Sequence, residues 1–331
     1  MVSLKDRRIV LIGGAGFIGH HLALLLKSRG AKVDIVDGLI VNNILQFTAT
    51  GTNPLYLKFL NERIGLLKKA DIPIHLQDAR DYHALSRILH ALQPQVIIHL
   101  AAVAHTGKSN KDPFTTFDHS LRTLENTLDI ARELKVEHLV FFSSSMVYGN
   151  FQTSEVTEDH PLNPIGIYGA LKVAGEKLVI AYNQVFGIPY TIIRPSALYG
   201  PRCVSRRVIQ IFLENALLGQ PLKIEGDGKE KLDFTYIDDL VQGIVHVLTK
   251  EEAKNEIFNL TYGRARSVLE VVEVLRDIFK EVVVENVRRD HLEPFRGTLS
   301  TEKASHLLEY KPVTGIEDGI PAYMRSYEGH I

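Results

Sequence analysis

Short apolar runs alternate with longer amphipathic stretches from the start of the chain to about residue 195. The apolar runs predict strands at Ile9–Ile12, Lys32–Val36, Pro73–Leu76, Val96–Leu100, His138–Ser143 and Tyr190–Ile193. The stretches between them predict helices, chiefly at His20–Ser28, Pro54–Lys69, Tyr82–Leu92, Phe117–Leu134 and Tyr168–Phe186. Strands that alternate with helices indicate an α/β fold with a doubly wound parallel sheet and helices on both faces.

The pattern changes beyond residue 195. Predicted helices at Ser205–Leu218 and Ser267–Phe279 flank a return to the alternation, with a helix at Asp238–Thr249 and a strand at Ile257–Leu260. We therefore expect a nucleotide-binding domain of residues 1–195, to which residues 238–260 return. Residues 196–237 and 261–331 form a smaller α+β substrate domain, packed at the carboxyl ends of the strands, with the substrate cleft between the two.

A glycine-rich turn follows the first strand directly. The segment Gly13-Gly14-Ala15-Gly16-Phe17-Ile18-Gly19 lies between a predicted strand and a predicted helix. Glycine permits the tight turn and the close approach of a pyrophosphate, which the helix N-terminus then binds. Asp37 ends the second strand, where a carboxylate accepts hydrogen bonds from ribose hydroxyls and repels a 2′-phosphate. This spacing favours NAD over NADP.

A second motif places a phenol beside an amine. Tyr168 and Lys172 are four residues apart, on one face of a helix. An ammonium next to a phenol favours the phenolate, and a pKa lowered by roughly 3 units would make Tyr168 a general base for an alcohol. The serines Ser143, Ser144 and Ser145 lie where the strand His138–Ser143 ends, and one of them can hold the same hydroxyl.

Composition excludes several classes of partner. Charged residues make up 23% of the 331, and the formal net charge is −1, which argues against nucleic acid and anionic membranes. The one cysteine, Cys203, excludes an internal disulfide and suits a cytoplasmic location. No signal peptide is recognisable, the run Val96–Ala104 is too short to span a bilayer, and the histidines lack the spacing of metal ligands.

Together these motifs resemble the extended short-chain dehydrogenase/reductase family, specifically its NAD-dependent nucleotide-sugar epimerases and dehydratases, over nearly the whole chain. Further matches are Leu198-Tyr199-Gly200-Pro201-Arg202 and the segment Asp233–Asp239. The resemblance implies a Rossmann-type sheet and catalytic residues Ser144, Tyr168 and Lys172. The residues implied to bind NAD are Gly13, Gly16, Phe17, Ile18, Gly19, Asp37, Asp78, Ala79, Leu100, Ala101, Ala102, Tyr168 and Lys172.

The implied reaction is hydride removal from the sugar C4, which gives a 4-keto sugar, and hydride return to the opposite face. We expect an isomerase that supplies surface-polysaccharide precursors. We also expect a homodimer that pairs through Phe117–Leu134 and Tyr168–Phe186. A dehydratase of this kind carries an Asp-Glu pair after the catalytic residue, where this chain has Ser145 and Met146. A C4 epimerase is therefore favoured. The alternatives are a C4 dehydrogenase or a dehydratase and, in another class, a non-catalytic NAD-binding sensor.

The substrate itself is left open between UDP-, GDP- and dTDP-linked sugars. Leu232 replaces an arginine that grips the diphosphate in similar enzymes, so another cation is needed. Of the available arginines, Arg202 and Arg296 are predicted to bind it, with His105, Ser144 and Ser145 as further substrate contacts. His119 is interpreted as a packed helical residue, with support of the active site as the alternative. Gly297 is hypothesised to leave room for a large sugar substituent.

Overall fold

The computed structural model describes residues 2–50, 53–104 and 106–330, and a seven-stranded sheet lies at its centre. The strands of the chain are β1 (Arg8–Ile12), β2 (Lys32–Asp37), β3 (Ile74–Leu76), β4 (Val96–His99), β5 (His138–Phe142), β6 (Glu155–Val156), β7 (Tyr190–Arg194), β8 (Leu198–Tyr199), β9 (Leu222–Glu225), β10 (Lys231–Leu232), β11 (Thr235–Tyr236), β12 (Glu256–Asn259), β13 (Arg266–Ser267), β14 (Val284–Val287) and β15 (Thr298–Leu299). The central sheet has the order β12-β7-β5-β4-β1-β2-β3, and all its pairings are parallel. The predicted doubly wound sheet is confirmed.

Helices connect these strands. They are α1 (Phe17–Ser28), α2 (Ile44–Thr50), α3 (Pro54–Lys69), α4 (Tyr82–Leu92), α5 (Thr106–Lys111), α6 (Pro113–Phe117), α7 (Thr123–Leu134), α8 (Gly166–Phe186), α9 (Val208–Leu217), α10 (Ile237–Thr249), α11 (Val268–Ile278), α12 (Glu302–Leu308) and α13 (Ile316–Arg325). The predicted bounds of α3 and α4 are reproduced. Short 3₁₀ turns lie at Ser145–Val147 and Glu251–Ala253.

The helix predicted at Phe117–Leu134 is the clearest correction, because the structure divides it. A first segment, α6, begins earlier, where Asp112 caps it by accepting a hydrogen bond from the Thr115 amide at 3.0 Å. A π-helical turn over Asp118–Arg122 then separates α6 from α7. A π turn inserts an extra residue into the helix, which the 3.6-residue period does not reveal, and such turns are frequent at functional sites.

Local signals explain where other helices begin and end. Asn53 caps α3 by accepting from the Leu55 amide at 3.1 Å, and Pro54 occupies the first helical position, where no amide is needed. Gly187 ends α8 in the left-handed conformation with φ of 72°.

Apolar side chains form one cluster on each face of the sheet and a third beyond its carboxyl edge. The third cluster combines Phe59 and Leu60 of α3 with Phe212 of α9 and Leu275 of α11. Helix α3 packs beside α1 and α2, and its side chains also reach the later part of the chain. The division into two domains at residue 195 stays a prediction, and β12 joins the central sheet from beyond that residue.

Candidate functional site

The glycine turn sits at the carboxyl end of β1, where the strand order reverses between β2 and β4. Ligands of open α/β sheets bind at this switch point. The backbone there is tightly packed: a Cβ atom on Gly13 would lie 2.7 Å from the Ala101 nitrogen, and one on Gly19 would lie 2.4 Å from the Gly14 oxygen. Only glycine fits these two positions, and the start of α1 is thereby held against the cleft.

All the predicted cofactor residues outside the Tyr168–Lys172 pair line this one cleft. They are Gly13, Gly16, Phe17, Ile18, Gly19, Asp37, Asp78, Ala79, Leu100, Ala101 and Ala102. The cleft thus runs from the start of α1 along the ends of β2, β3 and β4. Its length and its exposed backbone suit an extended dinucleotide.

Two carboxylates line this cleft where β2 and β3 end. Asp37 accepts hydrogen bonds from the amides of Ala15, at 2.9 Å, and Leu39, at 2.7 Å. Burial nevertheless raises its pKa, with the two hydrogen bonds opposing the shift. Asp78 is also partly buried, which raises its pKa, but hydrogen bonds from Arg80, the shortest at 2.6 Å, outweigh burial and lower it. Asp78 is therefore a firmly charged acceptor.

Ser144, Tyr168 and Lys172 are brought together by the ends of β5 and α8. Ser144 caps the 3₁₀ turn that follows β5, accepting from the Met146 amide at 3.2 Å, and its hydroxyl is near enough to Tyr168 to lower the pKa of that phenol. The Lys172 Nζ donates to the Phe142 carbonyl at 2.6 Å and lies 5.9 Å from the centre of the Tyr168 ring. The three side chains thus form one polar group, and all are at least nine-tenths buried.

The expected lowering of the Tyr168 pKa by Lys172 is wrong for this structure. Burial raises the pKa of Tyr168, while the charge of Arg207 and the Ser144 hydroxyl lower it. Burial also lowers the pKa of Lys172 to about 8, against the opposing charge of Glu176. Spacing along a helix indicates that two side chains share a face, but it gives no measure of how far both are desolvated.

A buried network, which the sequence reasoning missed, lies beneath this group. Glu176 accepts from the Ser143 hydroxyl at 2.5 Å and forms an ion pair with Arg194 at 2.7 Å, with both partners almost fully buried. Arg194 also donates to the Tyr148 hydroxyl at 2.9 Å. The spacing of Lys172 and Glu176, one turn apart on α8, was the available signal. The network anchors Ser143 and hence the backbone that carries Ser144.

The donors of Arg202 are used within the protein, and its role as a ligand of a substrate diphosphate stays a prediction. Its Nε donates to the His20 Nε2 at 3.0 Å, and an Nη pairs with Glu62 at 3.1 Å, so its donors are committed to α1 and α3. Arg207 lines the cleft instead. Its side chain forms no hydrogen bond or ion pair with the described residues. The chain turns at Arg202 with φ of 61°, a backbone reversal that sequence spacing does not reveal.

Arg296 is close enough to Arg207 for their charges to repel. Burial lowers the pKa of Arg296, its Nε has no partner among the described residues, and Glu293 lies 4.0 Å from its guanidinium. Leu232 is buried in the third apolar cluster, where it offers no polar group. Arg207 and Arg296 therefore lie close together, and the charge of Arg207 reaches Tyr168.

The remaining candidates are placed as follows. Ser145 is fully buried, and its amide donates to the Pro195 carbonyl at 3.0 Å. His119 lines the cleft from the π turn, rather than packing inside a helix. A Cβ on Gly297 would meet the Ser154 carbonyl oxygen at 2.5 Å, so this glycine accommodates backbone and leaves no space for a sugar. His105 lies outside the described residues.

Metal-ligand clusters and membrane-spanning helices would each indicate a particular class of protein. Residues 2–50, 53–104 and 106–330 contain no group of three or more His, Cys, Asp or Glu side chains arranged to hold a metal ion. No helix in these ranges has the length and apolar character needed to cross a membrane.

The fold and the cleft define a dinucleotide-binding enzyme with a Ser-Tyr-Lys group near the carboxyl end of β5. The model of the NAD-dependent epimerase/dehydratase family matches residues 9–261, and the chain belongs to this family. It is an NAD-dependent nucleotide-sugar epimerase of the extended short-chain dehydrogenase/reductase type, as predicted, and its cofactor is NAD.

Individual relatives extend over the whole chain. The protein named "Uncharacterized UDP-glucose epimerase YtcB" of Bacillus subtilis is 35% identical, over 97% of this chain and 99% of its own length. A UDP-glucuronate 4-epimerase of Thermodesulfobacterium geofontis is 29% identical, over 94% and 93%. The crystal structure of the UDP-glucuronic acid 4-epimerase of Bacillus cereus with UDP-glucuronic acid and NAD superposes with a TM-score of 0.87, at 29% identity, over 97% of this chain and 98% of that one.

Proposed function

We propose that the protein inverts the C4 configuration of a UDP-linked sugar, with Ser144, Tyr168 and Lys172 as catalytic residues. The observation that carries the proposal is the buried group of Ser144, Tyr168 and Lys172, which Arg207 links to a cleft that suits NAD. UDP is chosen because the similar proteins described above carry UDP-sugars in their names.

In this proposal Tyr168 takes the proton of the C4 hydroxyl and later returns it, while Ser144 holds the same oxygen. NAD supplies the acceptor and donor of the hydride when it is bound. Lys172 contributes a positive charge beside Phe142 and orients the cofactor ribose. Arg207 lowers the Tyr168 pKa, which opposes burial and makes proton removal easier.

Cofactor binding is assigned to the cleft residues already described. The Gly13–Gly19 turn and the start of α1 receive the pyrophosphate, Asp37 accepts from the adenosine ribose, and Asp78 with Ala79 contacts adenine. Leu100, Ala101 and Ala102 line the nicotinamide side. These assignments are supported by the shared cleft and by the two acceptor carboxylates.

The substrate diphosphate is assigned to Arg207 and Arg296. Two guanidinium groups in one neighbourhood repel each other, and neither has a full set of partners among the described residues. A diphosphate removes that repulsion and supplies acceptors for both forks. Arg207 thus takes the part predicted for Arg202.

A dehydratase is the weaker candidate. Elimination of water needs an acid or base next to the C4 site, and the residue two positions after Ser144 is Met146, which is buried and cannot transfer a proton. The pKa of Tyr168 responds to no carboxylate of the described residues.

The deciding experiment incubates the purified protein with UDP-, GDP- and dTDP-linked hexoses and hexuronates. Absorbance at 340 nm follows NADH, and NMR follows the sugar. An inverted C4 centre without net NADH is expected. Accumulation of NADH with a keto product would instead identify a dehydrogenase. If no sugar turned over while NAD stayed bound, the sensor would replace the epimerase.

We further infer a cytoplasmic homodimer that supplies polysaccharide precursors. Helices α7 and α8 contact each other, and apolar side chains near them are exposed, with Phe114 at 80% and Val185 at 71%. Light scattering tests the oligomer, and a monomeric mass at working concentration would refute it.

A further inference from the structure

Arg63 is an arginine that the sequence reasoning did not single out. It lies on α3, only 1% of its surface is exposed, and yet it lines the cofactor cleft together with Gly16, Phe17 and Asp37. Its Nε donates to the Arg202 carbonyl at 3.1 Å, and an Nη donates to the same oxygen. The guanidinium is thus held rigidly at the wall of the cleft by a neutral acceptor.

No carboxylate among the described residues forms an ion pair with Arg63. Cys203, Tyr323 and Asp37 act in its favour, but the first two are buried neutral groups, and both oxygens of Asp37 already accept backbone hydrogen bonds. Glu62, its neighbour on α3, is paired with Arg202. Arg202 itself lies near enough to repel Arg63. The cleft wall therefore carries a buried positive charge that its surroundings do not neutralise.

The neighbouring histidines do not alter this balance. Burial lowers the pKa of His20 well below its usual value and that of His21 to about 3, so both rings are neutral at physiological pH. A buried charge is expensive unless a partner compensates it. The missing partner must be an anion that enters the cleft beside Phe17 and Ile18, where α1 begins.

We propose that Arg63 is the cationic ligand of the NAD pyrophosphate. The start of α1 offers amides from one side, and the guanidinium closes the site from the side of α3. Arg207 lines the same cleft, but its charge reaches Tyr168, and the substrate diphosphate is therefore assigned to Arg207 and the cofactor pyrophosphate to Arg63. The proposal depends on NAD as cofactor and not on the identity of the sugar.

One consequence is that cofactor and fold are coupled. Without the pyrophosphate the charge of Arg63 is buried and uncompensated, and with it the charge is neutralised. NAD should therefore raise the unfolding temperature mainly through its phosphates, and the protein should retain NAD through purification.

The test compares Arg63→Met with Lys69→Met, an exposed lysine on the same helix. Calorimetry on protein freed of nucleotide gives dissociation constants for adenosine, ADP and NAD. Loss of charged hydrogen bonds to a phosphate predicts about 10- to 100-fold weaker binding of ADP and NAD to Arg63→Met. Adenosine, which lacks phosphate, should bind all three proteins within about twofold, and Lys69→Met should match the parent protein.

Unfolding temperatures separate this role from a structural one. Arg63→Met without nucleotide should unfold no more than a few degrees below the parent, and its gain on adding NAD should be much smaller. An equal loss for adenosine and ADP, or a destabilised variant with unchanged NAD affinity, would overturn the proposal. If Arg63→Met does not fold, Arg63→Lys is measured in the same way: a loss confined to ADP and NAD supports the proposal, and unchanged ADP affinity contradicts it.

Discussion

The two sides of the proposed C4 site differ in how far their charged side chains are paired within the protein. On the catalytic side, Ser144, Tyr168 and Lys172 lie next to the buried ion pair of Glu176 and Arg194. The carboxylate and the guanidinium of that pair are hydrogen-bonded to each other and to neighbouring groups. On the opposite side, Arg207 and Arg296 are cations with partners missing. A network whose polar groups are all hydrogen-bonded holds its side chains in place without a ligand. Unpaired charges gain a partner only when a ligand binds. The comparison therefore assigns positioning to the first side and substrate binding to the second.

The sharpest test of the catalytic side is Tyr168→Phe. Removing the proposed general base should lower turnover by about 10²- to 10⁴-fold, because proton transfer from the C4 hydroxyl is lost. The substitution removes only the buried hydroxyl and keeps the ring, so the free energy of unfolding should change little. Bound NAD per protein, measured by absorbance after denaturation, serves as the control. Full activity of the variant would exclude the proposed chemistry.

The buried network of Glu176 and Arg194 is tested by removing one partner of its ion pair. Glu176→Met leaves Arg194 buried and unpaired, which should cost about 3–5 kcal/mol in the free energy of unfolding by urea. The double variant with Arg194→Met should recover a large part of that loss, because no charge remains unpaired. If the double variant were as unstable as the sum of the single ones, the charge pairing would not be the cause.

The substrate side should behave differently on losing a charge. Arg207→Met should raise KM for the nucleotide sugar by a factor that corresponds to about 1.5–3 kcal/mol, without loss of stability, because Arg207 has no protein partner to abandon. It should also move the acidic limb of the pH profile to higher pH, because the general base must lose its proton and Arg207 lowers the pKa of Tyr168. Arg202→Met is the matched variant: it breaks the contact with Glu62 and should leave KM unchanged.

Lowering the pH should reduce the stability of the whole fold. The effect of each histidine is expected to be the smallest of those described. Burial lowers the pKa of His21, His99 and His138 to about 3. Because the unfolded chain binds these protons near pH 6.5, stability is complete above that pH and is lost as the pH falls toward 3. Each such group contributes a slope of about 1 kcal/mol per pH unit in that window. Urea unfolding from pH 7 to 5 measures it, and His138→Gln should reduce the slope; an unchanged slope would contradict this origin.

Local sequence motifs were enough to predict most of the residues that line the cofactor cleft. The run of predicted residues from Gly13 to Ala102 lines one cleft, because a strand, a glycine turn and a helix are contiguous in sequence and their geometry follows from short-range sterics. The bounds of α3 were equally visible, since Asn53 and Pro54 mark its start. What α3 packs against, and therefore the place of Arg63 in the cleft, was not visible.

The substrate side shows where sequence reasoning ends. Arg202 and Arg207 are five residues apart, and the sequence gives both the same chemistry, but a left-handed turn at Arg202 commits one guanidinium to His20 and Glu62 and leaves the other in the cleft. Desolvation likewise reversed the expected shift of the Tyr168 pKa. The sequence by itself determined the class of fold, the cofactor and the chemical groups available. Tertiary structure alone decided which charges are buried and which are paired, because burial and pairing depend on segments distant in the chain.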